Sequence, residues 1–184
     1  MPLLYVLIAV VVILIIWFIA AYNGFVVLRN KVQEAFSTMD VYLKKRYDLV
    51  PNLVETVKGY KDYEASTLEK VIQARNIAQA PAQSFADKQA NENMLTSSLR
   101  SLFALAESYP DLKANTTFLN LQTQLESLEV DIAQARKYYN AIVKAFNTKT
   151  EVFPSNLVAS MMGFKKYEFF TIEETEREVV QVKF

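Results

Sequence analysis

The sequence contains no histidine and no cysteine. Their absence removes the imidazole base, the thiolate nucleophile, disulfide and redox chemistry, and a zinc site of the usual nitrogen and sulfur kind. An excess of one charge is lacking too: 20 basic side chains meet 20 acidic ones, so there is no electrostatic footprint for nucleic acid. Glycine (3) and proline (5) are scarce, which argues against a turn-dense all-β protein and for an all-α one. There is no glycine-rich phosphate loop and no Gly-x-Ser-x-Gly elbow, and a serine or threonine nucleophile would have no histidine to activate it. No catalytic residue, metal or cofactor is expected. What the chain does have is apolar surface, 52% of 184 residues, enough for one domain with a real core.

That surface is concentrated at the start. Every side chain from Leu3 to Ala21 is apolar, and the first charged residue is Arg29. A run of about 20 residues at 1.5 Å each matches the hydrocarbon thickness of a bilayer, which predicts a transmembrane anchor over residues 1–23. A cleaved signal peptide is the alternative, but a basic leading region and a clean small-residue cleavage site are missing, and the apolar run is longer than such peptides use. Tyr5, Trp17 and Tyr22 suit the two interfaces. Arg29, Lys31, Lys44, Lys45 and Arg46 follow the span, so the positive-inside rule places the N-terminus outside and the larger part of the chain in the cytoplasm. Lys44, Lys45 and Arg46 fall about 30 Å of helix past the span, far beyond a Debye length, and read as a solvated bundle end.

Beyond Ala21 the apolar residues recur at helical spacing. Phe118, Leu121, Leu125, Leu128, Ile132, Ala135, Tyr139, Ile142 and Phe146 form one seam in steps of three and four, a coiled-coil-like face that packs on other helices. Val32, Phe36, Met39 and Leu43 make a second face, Val50, Val54, Val57, Leu68 and Ile72 a third, and Leu95, Leu99, Leu102, Ala106 and Tyr109 a fourth. Pro51 fits the first turn of a helix, where its missing N–H has no intrahelical partner, so a break at Asp48 is expected; one kinked helix through Pro51 is the competing reading. The break yields segments at about 22–46, 49–79, 86–108 and 116–147, lengths that suit an antiparallel up-and-down four-helix bundle continuing directly from the transmembrane helix. Residues 24–163 make up this bundle. Asn115 or Thr116 caps the last long helix, and Pro154 and Ser155 open a short one that Gly163 ends.

These segments resemble the LemA proteins of bacteria. The resemblance rests on Tyr22 and Asn23, on Arg29, Val32, Glu34, Ala35, Phe36 and Ser37, and above all on the block from Leu43 to Tyr60. Glu107, Tyr109, Pro110, Leu112, Lys113 and Ala114 match as well, as do Phe118, Leu121, Glu129, Ile132, Ala135, Arg136, Tyr139 and Asn140, the Phe153–Pro154 pair, and Gly163 with Phe164. Phe36 stands where the family often has tryptophan, and Tyr63 where it often has histidine. The resemblance implies a single-pass protein of the bacterial inner membrane with an antiparallel helical bundle. It implies no reaction.

The polar residues of these motifs are expected to be structural. Arg46, Asp48, Asn52 and Glu55 cluster at the proposed helix junction, while Glu107, Glu129, Arg136 and Asn140 lie on or beside packing faces. Asp48 would cap the second helix, and Arg46 or Arg136 would bridge carboxylates across helices and fix the register. The sharper alternative, a carboxylate metal site, would be restricted to a hard cation held by oxygen alone. Residues 164–184 form a distinct tail: Phe164, Tyr167, Phe169 and Phe170 give an aromatic interaction patch, an acidic spacer follows, and Val182 and Phe184 alternate with Lys183 in a terminal strand-like pattern. That end either folds back on the protein or adds to the sheet edge of a partner.

The resulting expectation is a membrane-anchored, non-enzymatic helical scaffold or adaptor that self-associates into a homo-oligomer or holds an unidentified protein partner. The alternatives are a ligand-binding bundle built on buried arginine and carboxylate groups, or a bundle that shapes membranes or senses stress.

Overall fold

The computed structural model describes residues 2–59 and 65–171. Among these the chain forms six helices and no strand: α1 (Pro2–Lys58), α2 (Ala65–Gln79), α3 (Phe85–Ala106), α4 (Pro110–Lys113), α5 (Thr116–Glu151) and α6 (Ser155–Met162). The all-α expectation holds, with one helix long and apolar enough to cross a membrane. Residues 3–16 are exposed along their whole length, as a lipid-facing segment must be.

The expected break at Asp48 is absent. α1 runs on through Pro51 to Lys58 and yields to a turn at Gly59. The proline should cost the helix its bond to the carbonyl four residues back, that of Tyr47. That carbonyl is instead reached from α2, where Arg75 Nε donates to it at 3.2 Å. A tertiary donor thus replaces the missing N–H, and the helix has no need to end.

The chain divides into two compact units. The second comprises Met39–Gln134 and Phe170–Phe184, and its four long helical stretches form an up-and-down bundle. Asp40 and Arg46 of α1 meet Lys88 and Glu92 of α3 in rising order, so those stretches are parallel. Arg46 meets Glu129 of α5, and Phe103 of α3 meets Phe118 of α5 at 6.0 Å, so α5 returns antiparallel to both. Leu43, Leu53, Leu95, Leu102, Leu112 and Leu125 are fully enclosed between them. Each such leucine contributes about 1.5–3 kcal/mol by leaving water. Two helix starts are capped: Ser84 Oγ accepts from Asp87 N at 3.0 Å, and Asn115 Oδ1, one of the two caps expected there, accepts from Phe118 N at 3.0 Å.

The first unit comprises Met1–Thr38 and Ala135–Phe169. Phe36 faces Tyr139 at 6.0 Å and Phe25 faces Phe146 at 5.8 Å, so its parts of α1 and α5 run antiparallel. At the end of this pair the tip of Lys149 fills the space beside Gly24, with Nζ 2.0 Å from where a Cβ would stand. The lysine lies over the Phe25 ring, 4.9 Å from its centroid. After α5 the chain turns into α6, which Gly163 closes in the left-handed conformation with φ 69°.

The seam on α5 is close to the one the spacing predicts. Phe118, Leu121, Leu125, Ile132, Ala135, Tyr139 and Phe146 are buried, but Leu128 is only half-buried and Val143 takes the place expected for Ile142. A helix of 3.6 residues per turn drifts away from a strict seven-residue repeat, and the buried stripe moves one residue with it. Ala35 likewise takes the core position expected for Phe36.

Candidate functional site

Arg46 stands in a row of apolar core positions on α1, between Leu43 and Val50, and its side chain is 0% exposed. It is not part of a solvated bundle end; only its neighbours Lys44 and Lys45 are exposed. Its guanidinium is shared out. Nη2 pairs with Glu92 of α3, itself 0% exposed, while Nη1 pairs with Glu129 of α5 at 2.6 Å and donates to Thr96 Oγ1 at 3.0 Å. Glu92 also accepts from the Tyr47 hydroxyl. One arginine therefore ties α1, α3 and α5 together, and the neighbouring tyrosine, whose carbonyl holds Arg75, ties in α2.

Burial pulls the Arg46 guanidinium down, but the charges of Glu129 and Glu92 outweigh it, so the proton is held more firmly than in water. Burial, together with the hydrogen bond to Glu92, pushes the Tyr47 phenol well above its ordinary value. Both shifts describe groups locked in one protonation state. Neither group is poised for acid–base chemistry near neutrality.

Of the other polar residues singled out from the sequence, Asp48, Asn52, Glu55 and Glu107 stand on the surface and not in this cluster. Asp48 is exposed inside α1 and caps nothing, because no helix starts there. Asn52 is exposed, with its carbonyl accepting from Thr56 Oγ1 at 2.8 Å. Glu55 pairs with Lys58 at 2.8 Å, and Glu107 pairs with Lys113, both on the surface. Arg136 and Asn140 are half-buried on α5. Sequence reasoning missed Glu92 and Thr96. The signal for Glu92 was available: it lies three residues before Leu95 on the stripe of Leu99, Leu102 and Ala106, an acid where the pattern demands an apolar residue.

The tail aromatics are mostly docked, which corrects their reading as an open patch. Phe164 stacks on Phe25 at 4.8 Å, and Tyr167 meets Phe146 edge-on at 5.0 Å. Asn147 grips the same stretch with both ends of its amide, donating to the Tyr167 carbonyl at 2.8 Å and accepting from the Tyr167 N–H at 2.9 Å. In the second unit Phe170 is buried edge-on against Phe85 at 5.0 Å. Only Phe169 of the four is exposed. Val182 and Phe184 lie outside the described residues.

Two shallow concavities border α2. A groove of about 160 Å³ lies between the end of α1 and α2, lined by Val50, Pro51, Val54, Ile72, Arg75 and Asn76 among others, which is smaller than most ligand pockets. A wider trough of about 520 Å³ is open to solvent along one side of α2, with Glu69 its only charged residue. Among the described residues no cluster of acidic groups could hold a metal ion.

The LemA family model matches residues 35–184. Protein LemA of Metamycoplasma hominis is 28% identical over 149 residues, which cover 81% of this chain and 68% of that one. Magnetosome protein MamQ 2 of Paramagnetospirillum magneticum is 25% identical over 174 residues, covering 81% of this chain and 64% of that protein, and magnetosome protein MamQ of Magnetospirillum gryphiswaldense is 24% identical over the same span. The chain therefore spans about two thirds of the length of these relatives, and none of their names denotes an enzyme. An apolar membrane-length helix, a bundle pinned by one buried arginine and a match over most of the chain lead to one conclusion: the chain belongs to the LemA family.

Proposed function

We propose that this protein is a membrane-anchored helical scaffold that works through protein contacts on the outside of its bundle and carries out no reaction. The observation that carries this reading is the closure of the Arg46 cluster. Arg46 is paired with Glu92 and Glu129, and the groove of about 160 Å³ at the end of α1 is smaller than most ligand pockets, which supports a reading in which the chemistry offered to a partner is that of the outer faces. Those faces keep large apolar side chains in water: Val41 on α1, Met94 on α3, and Leu119, Val130 and Tyr138 on α5. Exposed residues of this size at several points of a helical bundle suit self-association or an adaptor role.

In this reading residues 1–23 are the anchor, 24–163 the bundle and 164–184 an aromatic and acidic C-terminal tail. The bundle then lies on the cytoplasmic side of the inner membrane, a reading supported by the basic residues that follow the span. Crosslinking of the full chain in its native membrane, with mass spectrometry of the captured species, tests the proposal. Crosslinks to a second copy or to one reproducible protein partner through outer-face residues are expected. Capture of lipid alone would overturn it.

A further inference from the structure

The first unit carries an apolar surface that its own core does not use. α6 turns Val158 and Ala159 inward, where both are buried. Its opposite side presents Leu157 at 53% exposure and Met161 at 72%, one helical turn apart, and Phe153 just before the helix is 80% exposed. Val152 and Met162 flank them, also exposed. A short helix that is apolar on both sides is not built for water.

Its position identifies the cover. Phe164, directly after the Gly163 cap, stacks on Phe25 and lies 6.1 Å from the Tyr22 ring. Those α1 residues follow Ala21, the last residue of the apolar run, by one to four positions, about 1.5–6 Å along the helix. Lys149, in the last turn of α5, sits against Gly24 at the same level. Lys165 and Lys166 follow α6 on the exposed surface, with Lys166 paired to Glu151. Apolar side chains beside a membrane exit, edged by lysines and a tyrosine, are the composition of a segment seated at the headgroup and acyl boundary.

We infer that α6, with Phe153, is a second membrane contact: its Leu157 and Met161 side rests in the interfacial layer of the bilayer beside the point where α1 leaves it. The inference rests on α1 spanning the membrane. The first unit then meets the lipid on two elements instead of one, which limits how α1 can rotate about its own axis in the bilayer. The occupant is the lipid surface itself, continuous with the surface that covers residues 3–16.

The absence of cysteine makes the test direct, since any introduced thiol labels uniquely. Full-length Met161→Cys, Leu157→Cys, Ile13→Cys and Met94→Cys variants carry an environment-sensitive fluorophore in nanodiscs of phosphatidylcholine and phosphatidylglycerol, with lipids spin-labelled near the headgroup or deep in the chain. The probes at Met161 and Leu157 are expected to emit blue-shifted and to lose most of their fluorescence to the shallow quencher. The probe at Ile13 should respond to the deep quencher, and the one at Met94 to neither. An Ile13 probe quenched by lipid beside Met161 and Leu157 probes that remain water-like would overturn the inference and leave the anchor intact. An Ile13 probe that ignores both quenchers would remove the anchor and the inference together. Met161 fluorescence shielded from water but blind to both quenchers would assign the face to a second copy or another protein, and would also overturn it.

Discussion

Arg75 of α2 donates its Nε hydrogen to the carbonyl of Tyr47, the one acceptor in α1 that Pro51 deprives of its helical donor. The two features compensate each other, and their energies should therefore be coupled. Arg75→Ala is expected to destabilise the chain by about 1–2 kcal/mol, because a part-buried carbonyl loses its partner. In a Pro51→Ala background the backbone N–H returns, and the same substitution should cost clearly less. A double-mutant cycle from denaturant titrations in micelles measures the difference; equal penalties in both backgrounds would show that the contact carries no such role.

The Arg46–Glu92 pair should behave as a buried ion pair does. Arg46→Met alone leaves the Glu92 carboxylate enclosed without its cation and is expected to cost about 3–5 kcal/mol. Glu129→Gln should cost much less, since that side chain is 39% exposed and water screens its charge. Thermal melts of the two variants, compared with the parent, check the order.

Alkaline pH should expose the Tyr47 contact. Its folded phenol holds the proton well above the ordinary value, and Tyr139 is pushed up by burial to about 12. Where the unfolded tyrosine releases its proton and the folded one keeps it, the unfolded state binds fewer protons and stability falls with rising pH. The contribution is therefore complete below about pH 10, the unfolded value, and declines above it. Melting temperatures across this range should drop more steeply for the parent than for Tyr47→Phe.

Asn147 holds the tail by its backbone, so replacing it should free that segment without melting the helices. Asn147→Leu is expected to cost about 2 kcal/mol for two lost hydrogen bonds. Amide exchange at Tyr167 should accelerate, with α5 protection unchanged. Equal exchange in parent and variant would mean that Phe164 and Tyr167 are held by ring packing alone.

Periodicity made most of the helical framework legible, because a buried stripe must repeat at the helical period whatever it packs against. The α5 seam was read to within one residue. The failures share a cause: each depends on a partner distant in sequence. Pro51 breaks a helix by local rules, and only a donor 24 residues beyond it, Arg75, removes the reason to break. Arg46 was read both as part of a basic surface run and as a bridge to carboxylates of other helices, and its own segment could not name Glu92 and Glu129 as the partners that decide for the bridge. Phe164, Tyr167 and Phe170 were read as open surface because nothing in their own segment announces the sockets at Phe25, Phe146 and Phe85.

The central claim is that the buried cluster only holds the bundle together and that function resides on its outer faces. Replacing the cluster with apolar residues of similar volume, Arg46→Met with Tyr47→Phe and Glu92→Leu, should leave stability near the parent's, since no charge or hydroxyl of the trio is then stranded. Crosslinking of this variant in its native membrane is the most direct measurement. The account predicts a folded bundle with the same crosslinked neighbours as the parent; a folded bundle that has lost them would make the cluster the functional site and contradict the account.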